Sequence, residues 1–308
     1  MRHRNDETNA VSTRFSTRRV TFAAALVAAL VAGGCGGDDD SASDSDGGSG
    51  EVTTTTASAE ETTTTEARAE TLRILVSNDD GIAAEGIATV VDALQALPDT
   101  EVVVFAPADQ KSGAGGSTTD GELTSTEATT RNGDPGTAVN GFPADSVNYA
   151  FAQPGFEAPH LVVTGINEGQ NLAAFVELSG TVGAARAAVR QGVPALSSSA
   201  SGGEVFDYKT AATYVVAWVE EHREALVAGT APVEVTNLNV PTCQTGTIRG
   251  EVTVETDYQT VDGVIATPDC SSTEEPGSLD AAAFNRGFVT WSVVSTEPVP
   301  NPINTPAG

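Results

Sequence analysis

Short apolar runs bounded by turn residues alternate along this chain with longer segments in which apolar residues return every three or four positions. That is the pattern of strands alternating with helices around a mostly parallel sheet. Leu72-Arg73-Ile74-Leu75-Val76 opens the series as a buried strand. Gly86 to Leu97 follows as a helix with Ile87, Val90, Val91 and Leu94 on one face, and Val102-Val103-Val104-Phe105 as the second strand. Leu161-Val162-Val163 predicts a further strand, and Thr181 to Gln191 a helix entered through Ser179-Gly180 and left through Gly192. Pro194-Ala195-Leu196, a long helix from Tyr208 to Ala228, and Asn237-Leu238-Asn239-Val240 complete this part. The expected fold class is therefore α/β, a mostly parallel sheet flanked by helices. Thr247 to Thr256 and Gly287 to Val294 read as a C-terminal β-hairpin extension, and the Pro-rich end from Glu297 (297–308) as a disordered tail.

The first 70 residues have a different composition. Arg14, Arg18 and Arg19 precede a weakly apolar stretch from Val20 to Gly34 that is too short to span a bilayer and ends on small residues before Cys35. This reads as an export signal over 1–35. Ala32-Gly33-Gly34-Cys35 resembles a bacterial lipobox, so Cys35 is expected to be acylated and to anchor the chain on the extracytoplasmic face of a bacterial membrane. Simple secretion is the alternative. Arg18-Arg19 also resembles a twin-arginine signal, although Thr21 stands where that motif prefers a large apolar residue. Residues 36–70, rich in Ser, Gly, Asp and Thr, predict a solvated tether. The folding unit is then 71–296, long enough for one large domain. In an exported chain, Cys243 and Cys270, left over after lipidation and without metal-type spacing, are expected to form a disulfide; two separate buried thiols are the alternative.

Charge narrows the partners. Twelve acidic and six basic residues precede Thr71, leaving 30 acidic and 9 basic and a net charge of −21 for the domain. Such a field repels nucleic acid polymers and anionic lipid. It also opposes a small phosphorylated substrate, so phosphate chemistry here requires a cation in the site.

Four loops follow predicted strands, and in open parallel sheets ligands bind at the carboxyl ends of the strands. They are Asn78-Asp79-Asp80-Gly81, Pro107 to Gly116 with Lys111-Ser112-Gly113, Gly165 to Asn171 with Asn167, Glu168 and Asn171, and Leu178-Ser179-Gly180-Thr181. Singly each reads as a turn or a helix cap. Together they supply adjacent carboxylates, a hydroxyl and amide oxygens, hard donors suited to Mg²⁺, Mn²⁺ or Ca²⁺. His160 and His222 are the only histidines in the domain, one before a strand and one on a charged helix face, so a His-rich zinc site is not expected. G-x-S-x-G and P-loop patterns are absent.

At these residues the sequence resembles the SurE family of survival-protein nucleotidases or acid phosphatases. The resemblance runs from Leu72 to about Val294. It rests on Ser77-Asn78-Asp79-Asp80-Gly81 with Gly86, Pro107, Ser112-Gly113, Pro143-Ala144-Asp145, Gly165-Ile166-Asn167 with Gly169 and Asn171, Ser179-Gly180-Thr181-Val182, Gly192 with Pro194-Ala195-Leu196, and Leu238-Asn239-Val240-Pro241. It implies a Rossmann-like N-terminal half and one divalent cation per subunit, Mg²⁺ or Mn²⁺, held by Asp79, Asp80, Ser112 and Asn167. Asp79 and Asp80 become the catalytic carboxylates. Asn78, Gly113, Asn171, Ser179, Gly180 and Thr181 would face the substrate phosphate. A homodimer or homotetramer with an exchanged C-terminal hairpin, hydrolysing nucleoside 5′- or 3′-monophosphates, is also implied. Glu85, Ala173-Ala174-Phe175, Leu178 and Ala187 depart from the family pattern and bear on substrate choice, subunit contacts and rate. The helix beginning near Thr181 and the side chain of Lys111 are candidates to meet the transferring phosphoryl group. Two rival readings use the same residues: a surface lipoprotein that captures nucleotide or metal without turnover, and a structural envelope protein.

Overall fold

The computed structural model describes residues 70–201 and 205–303. Cys35, the export segment and all but the last residue of the tether lie outside the described residues, as do 304–308. Strands and helices alternate: β1 Leu72–Ser77, α1 Glu85–Gln95, β2 Thr100–Pro107, β3 Ser125–Thr129, β4 Pro135–Val139, α2 Pro143–Phe151, β5 Leu161–Glu168, a 3₁₀ turn Ala173–Glu177, α3 Gly180–Arg190, β6 Ala195–Ala200, α4 Tyr208–Val227, β7 Val235–Val240, β8 Glu251–Thr253, α5 Asp280–Asn285 and β9 Val289–Val294. The strands form one nine-stranded sheet in the order β3-β4-β2-β1-β5-β6-β7-β9-β8. Its centre, from β4 through β7, is parallel.

The core explains the apolar runs. Ile74, Leu75 and Val76 are buried in succession because both faces of β1 are covered. Ile74 and Val76 join Ile87, Val90, Leu94 and Val215 under α1 and α4, whereas Leu75 joins Val147, Val162, Val182 and Ala185 under α2 and α3. Each fully buried Leu, Ile or Val contributes roughly 1.5–3 kcal/mol. Near the site end of the sheet this second layer turns polar. Ser77, Thr164, Ser197 and Asn237 are register partners across β1, β5, β6 and β7, and all are buried.

The C-terminal segments differ from the expected hairpin. β9 runs antiparallel to β7 inside the main sheet, and β8 lies parallel to β9 at its edge. Thirty-odd intervening residues, including α5, carry the chain back between them, and a parallel pair requires such a crossover. The antiparallel hairpin instead occurs at the opposite edge, β3 with β4, around Asn132-Gly133, a turn signal that the helix-and-strand alternation passed over. From Glu297 onward the chain is not loose throughout: Asn301 is buried and its amide donates to Ala174 O at 3.1 Å.

A disulfide joins Cys243 and Cys270, 27 residues apart, with Cα atoms separated by 5.7 Å. It fastens the stretch before β8 to the loop before α5. Closing a loop of this length restricts the unfolded chain by about 3 kcal/mol. Reduction with tris(2-carboxyethyl)phosphine is therefore expected to lower the urea midpoint measurably and to expose two thiols to alkylation. Unchanged midpoints would mean that the bridge leaves stability unaffected.

Candidate functional site

The strand order reverses between β1 and β5: from β1 the chain proceeds outward to β2 on one side and, later, to β5 and β6 on the other. Such a switch point leaves a crevice at the strand ends, and the Asp79-Asp80 pair and Asn167 lie there.

Local contacts bring the four loops together. Asp79 is 3% exposed, and its Oδ1 accepts from Thr181 Oγ1 at 2.7 Å. Its carbonyl accepts from Lys111 N at 2.6 Å, and Gly115 N donates to Leu178 O at 2.9 Å, which fastens the second loop to the first and fourth. Asp80 Oδ2 accepts from Glu168 N at 3.0 Å, joining the third. Asn78 Nδ2 closes the first turn on Gly81 O at 2.9 Å. Gly180 is dictated by this packing, because a Cβ there would stand 2.7 Å from Asp79 Cβ and 3.0 Å from Pro143 Cγ.

Neither aspartate has a cationic partner in an ion pair among the described residues. Burial raises the Asp79 pKa, opposed chiefly by the Thr181 hydroxyl and then by nearby N–H groups that include those of Thr181 and Gly180. Asp80 is raised to about 6, first by burial and then by the negative charge of Asp79, while the Glu168 N–H and the Gln110 side chain pull the other way. Asp80 Oδ1 and Asn78 Oδ1 are buried and have no hydrogen-bond partner. Two crowded carboxylates with an unused buried oxygen and an adjacent unused amide oxygen form a donor set that fits a hard divalent cation. The fit does not require a cluster of three acidic, His or Cys ligands, and none occurs among the described residues.

The other sequence-derived residues divide. Asn167 is buried at the end of β5 with Nδ2 donating to Gly169 O at 2.6 Å. Ser112 and Gly113 lie exposed in the loop that Lys111 N fastens to Asp79, and Gly113 has φ +80°. Ser179 caps α3 by accepting from Val182 N at 3.0 Å. The start of α3 lies against Asp79: the Thr181 hydroxyl donates to the carboxylate, and the Gly180 and Thr181 N–H groups oppose the rise in its pKa. Asn171 is anchored to the sheet beneath it: Nδ2 donates to Ser199 Oγ, N to Asn239 Oδ1, and O accepts from Asn237 and Asn239. Asp145 likewise accepts from Phe142 N and from Thr119 N and Oγ1. His160 Nδ1 accepts from Arg73 N, in keeping with a structural role.

Sequence reading passed over the wall beside Asp80. A cavity of about 450 Å³ is lined by Asp80, Gln110, Arg131, Glu168, Phe206 and Tyr208, among others. Phe206 and Tyr208 stack at 5.8 Å with planes 15° apart. Tyr208 Oη lies 3.5 Å from Glu168 Oε2, and burial with that carboxylate raises its pKa. Arg131 stands at the tip of the β3–β4 hairpin and pairs with Glu85 at 3.2 Å. Only the aromatic spacing at the start of the long helix hinted at this wall, and such spacing ordinarily marks core.

Comparisons with known proteins follow the same outline. The family model described as survival protein SurE matches residues 74–261. A curated relative named 5′-nucleotidase SurE from Aeromonas hydrophila subsp. hydrophila is 36% identical over 235 residues, covering 71% of this chain and 90% of the relative. Its namesake from Methanocella arvoryzae is 44% identical over 131 residues, covering 42% of this chain and 48% of the relative, so that match spans about half of the relative's length. The crystal structure of SurE protein from Aquifex aeolicus superposes with a TM-score of 0.59 at 26% identity, over 74% of this chain and 94% of that one.

Proposed function

The chain belongs to the SurE family, and from that premise we propose that it is a divalent-metal-dependent phosphomonoesterase that releases phosphate from nucleoside 5′- or 3′-monophosphates. The observation that carries this reading is the Asp79-Asp80 pair at the strand switch point, which among the described residues has no ion-paired cation and retains a buried carboxylate oxygen without a hydrogen-bond partner.

Asp79, Asp80 and Asn167 would hold the cation, with Ser112 from the loop fastened to Asp79. When bound, the cation supplies charge neutralisation, polarisation of a phosphoryl oxygen and acidification of a water. The chain's own groups do the positioning. The Thr181 hydroxyl orients Asp79, and the Glu168 N–H orients Asp80; both favour the charged carboxylates against the burial that raises their pKa values. Asn78 holds the turn that joins them. In the neighbouring cavity the Phe206–Tyr208 stack offers an aromatic face to a nucleobase, and Arg131 provides positive charge within an otherwise acidic rim. That aromatic wall favours a nucleotide over a simple phosphomonoester.

A screen of 5′- and 3′-nucleoside monophosphates against Mg²⁺ and Mn²⁺, with chelator as control, tests the reading. Metal-dependent phosphate release supports it; tight nucleotide binding without release supports the binding-protein rival. The metal component has its own pH signature. Because the folded pKa of Asp80 is raised to about 6 from 3.8, metal-free stability is greatest below the unfolded pKa and declines as pH rises toward and through 6. A cation bound by the carboxylate reverses that loss. Added Mg²⁺ or Mn²⁺ should thus raise Tm little at pH 4.5 and most above pH 7, as read by differential scanning fluorimetry. A metal effect independent of pH would count against Asp80 as a ligand.

The lipobox supports a site of action outside the cytoplasm, with the domain anchored through Cys35 and free nucleotides as substrates. Cys35→Ala should move the protein from the membrane to the soluble fraction. The family likeness supports a dimer or tetramer, which light scattering measures.

A further inference from the structure

Both tryptophans of the chain, Trp218 and Trp291, line a single cavity of about 650 Å³ between α4 and the β7–β9–β8 end of the sheet. Ala195 and Glu234, at the starts of β6 and β7, also line it, so it lies toward the edge opposite the Asp79-Asp80 crevice. Its size is that of a small-molecule site.

The walls are aromatic and acidic. Trp218 and His222, one helical turn apart, stack with centroids 4.1 Å apart and planes at 15°. His222 Nδ1 lies 2.8 Å from Trp218 O; a carbonyl only accepts, so Nδ1 donates and the ring is pinned. Tyr214, one turn earlier, continues the stripe. Across the cavity Trp291 Nε1 donates to Glu251 Oε2 at 2.9 Å. A stripe of aromatics at helical spacing usually marks core, yet these rings are only partly buried and face open space. Glu221, Glu234 and Glu251 surround that space. None of the three belongs to an ion pair among the described residues, and no Lys or Arg lines the cavity.

We propose that this cavity binds an extended organic cation of the aliphatic polyamine class. Ammonium groups would meet the separated carboxylates while the methylene stem lies over the indole and imidazole faces, where cation–π attraction adds to contact area. The domain's net charge of −21 draws cations toward the surface, and the aromatic walls select those with an organic body.

Because the only two tryptophans flank the cavity, intrinsic fluorescence of the full-length protein reports on it directly. Titration with spermidine should give a saturable change that Mg²⁺ and NaCl at matched ionic strength do not reproduce. E221Q/E251Q, which keeps an acceptor for the Trp291 indole while removing two charges, should weaken binding about three- to tenfold. Trp218→Leu should weaken it too, with Trp291 left as reporter. Should the double variant fail to fold, Glu221→Gln on the exposed face of α4 carries the same prediction alone. Calorimetry on the same samples covers a complex silent in fluorescence. The absence of both heat and fluorescence change, an equal response to Mg²⁺, or unchanged spermidine affinity in the Glu variants would each overturn the proposal.

Discussion

Asp79→Asn and Asp80→Asn are each expected to abolish metal-dependent phosphate release, with losses on the order of 10³-fold or more. The substitution keeps the size of the side chain and its capacity to accept from Thr181 Oγ1 or Glu168 N. What it removes is the negative charge that would hold the cation. Stability should move in the opposite direction for Asp80→Asn. Wild-type Asp80, with its pKa raised from 3.8 to about 6, costs the metal-free fold on the order of 3 kcal/mol once ionised at pH 8, and Asn escapes that cost. An inactive variant with a higher metal-free urea midpoint than wild type at pH 8 separates loss of chemistry from loss of fold. Activity within a few-fold of wild type in both variants would sink the nucleotidase mechanism proposed for this crevice.

The second large effect lies in an ion pair outside the crevice. Arg186 and Glu177 are 3% and 1% exposed at the side chain and meet through two bonds of 2.7 and 3.0 Å, while Arg186 Nε donates to Ser295 O at 2.8 Å. One guanidinium thus ties the 3₁₀ turn, α3 and the end of β9. Removing either partner alone leaves a charge buried without compensation, so Arg186→Met is expected to cost about 3–5 kcal/mol. That is a large share of the stability of an ordinary domain. Combining it with Glu177→Leu should recover most of the loss, because the pair's own desolvation disappears with it. Urea unfolding of the two single variants and the double measures the coupling; equal destabilisation in all three would show that packing volume, not charge, is what matters. Activity should follow stability here, since Glu177 immediately precedes the Leu178 to Thr181 loop and its carbonyl crowds Gly115.

Arg186 also shows where sequence reading stops. On a helix with Ala at most neighbouring positions, Arg186 reads as part of a solvated face with Arg190 one turn on, and only the neighbouring turn and the returning C-terminal strand bury Arg186 while Arg190 stays exposed. Asn171 differs in the opposite sense. In a Gly-rich loop at a strand end it reads as a ligand contact, and the structure adds a second role, because Ser199, Asn237 and Asn239 hold its side-chain amide N–H and its backbone. Those partners are strand residues whose amides look like interruptions of an apolar pattern until the sheet places them beneath the loop.

Local patterns were sufficient for much of the rest. Consecutive apolar residues in β1 and β5 required burial on both faces, which in turn required helices on both sides and parallel neighbours. The loops at the strand ends, with Asp79 and Asp80 among them, then had to share one edge. These conclusions follow from the sequence because strand and helix periods are properties of near neighbours. Tertiary structure alone decided three things: that Thr181, 102 residues on, would hold Asp79, that Arg131, Phe206 and Tyr208 would wall the space beside Asp80, and that β8 and β9 would run parallel within the main sheet. Each depends on register and on which polar group reaches which partner across long sequence separations. No residue's own neighbourhood carries that information, because a hydrogen bond's partner is chosen by packing and a strand's direction by the connection that returns it.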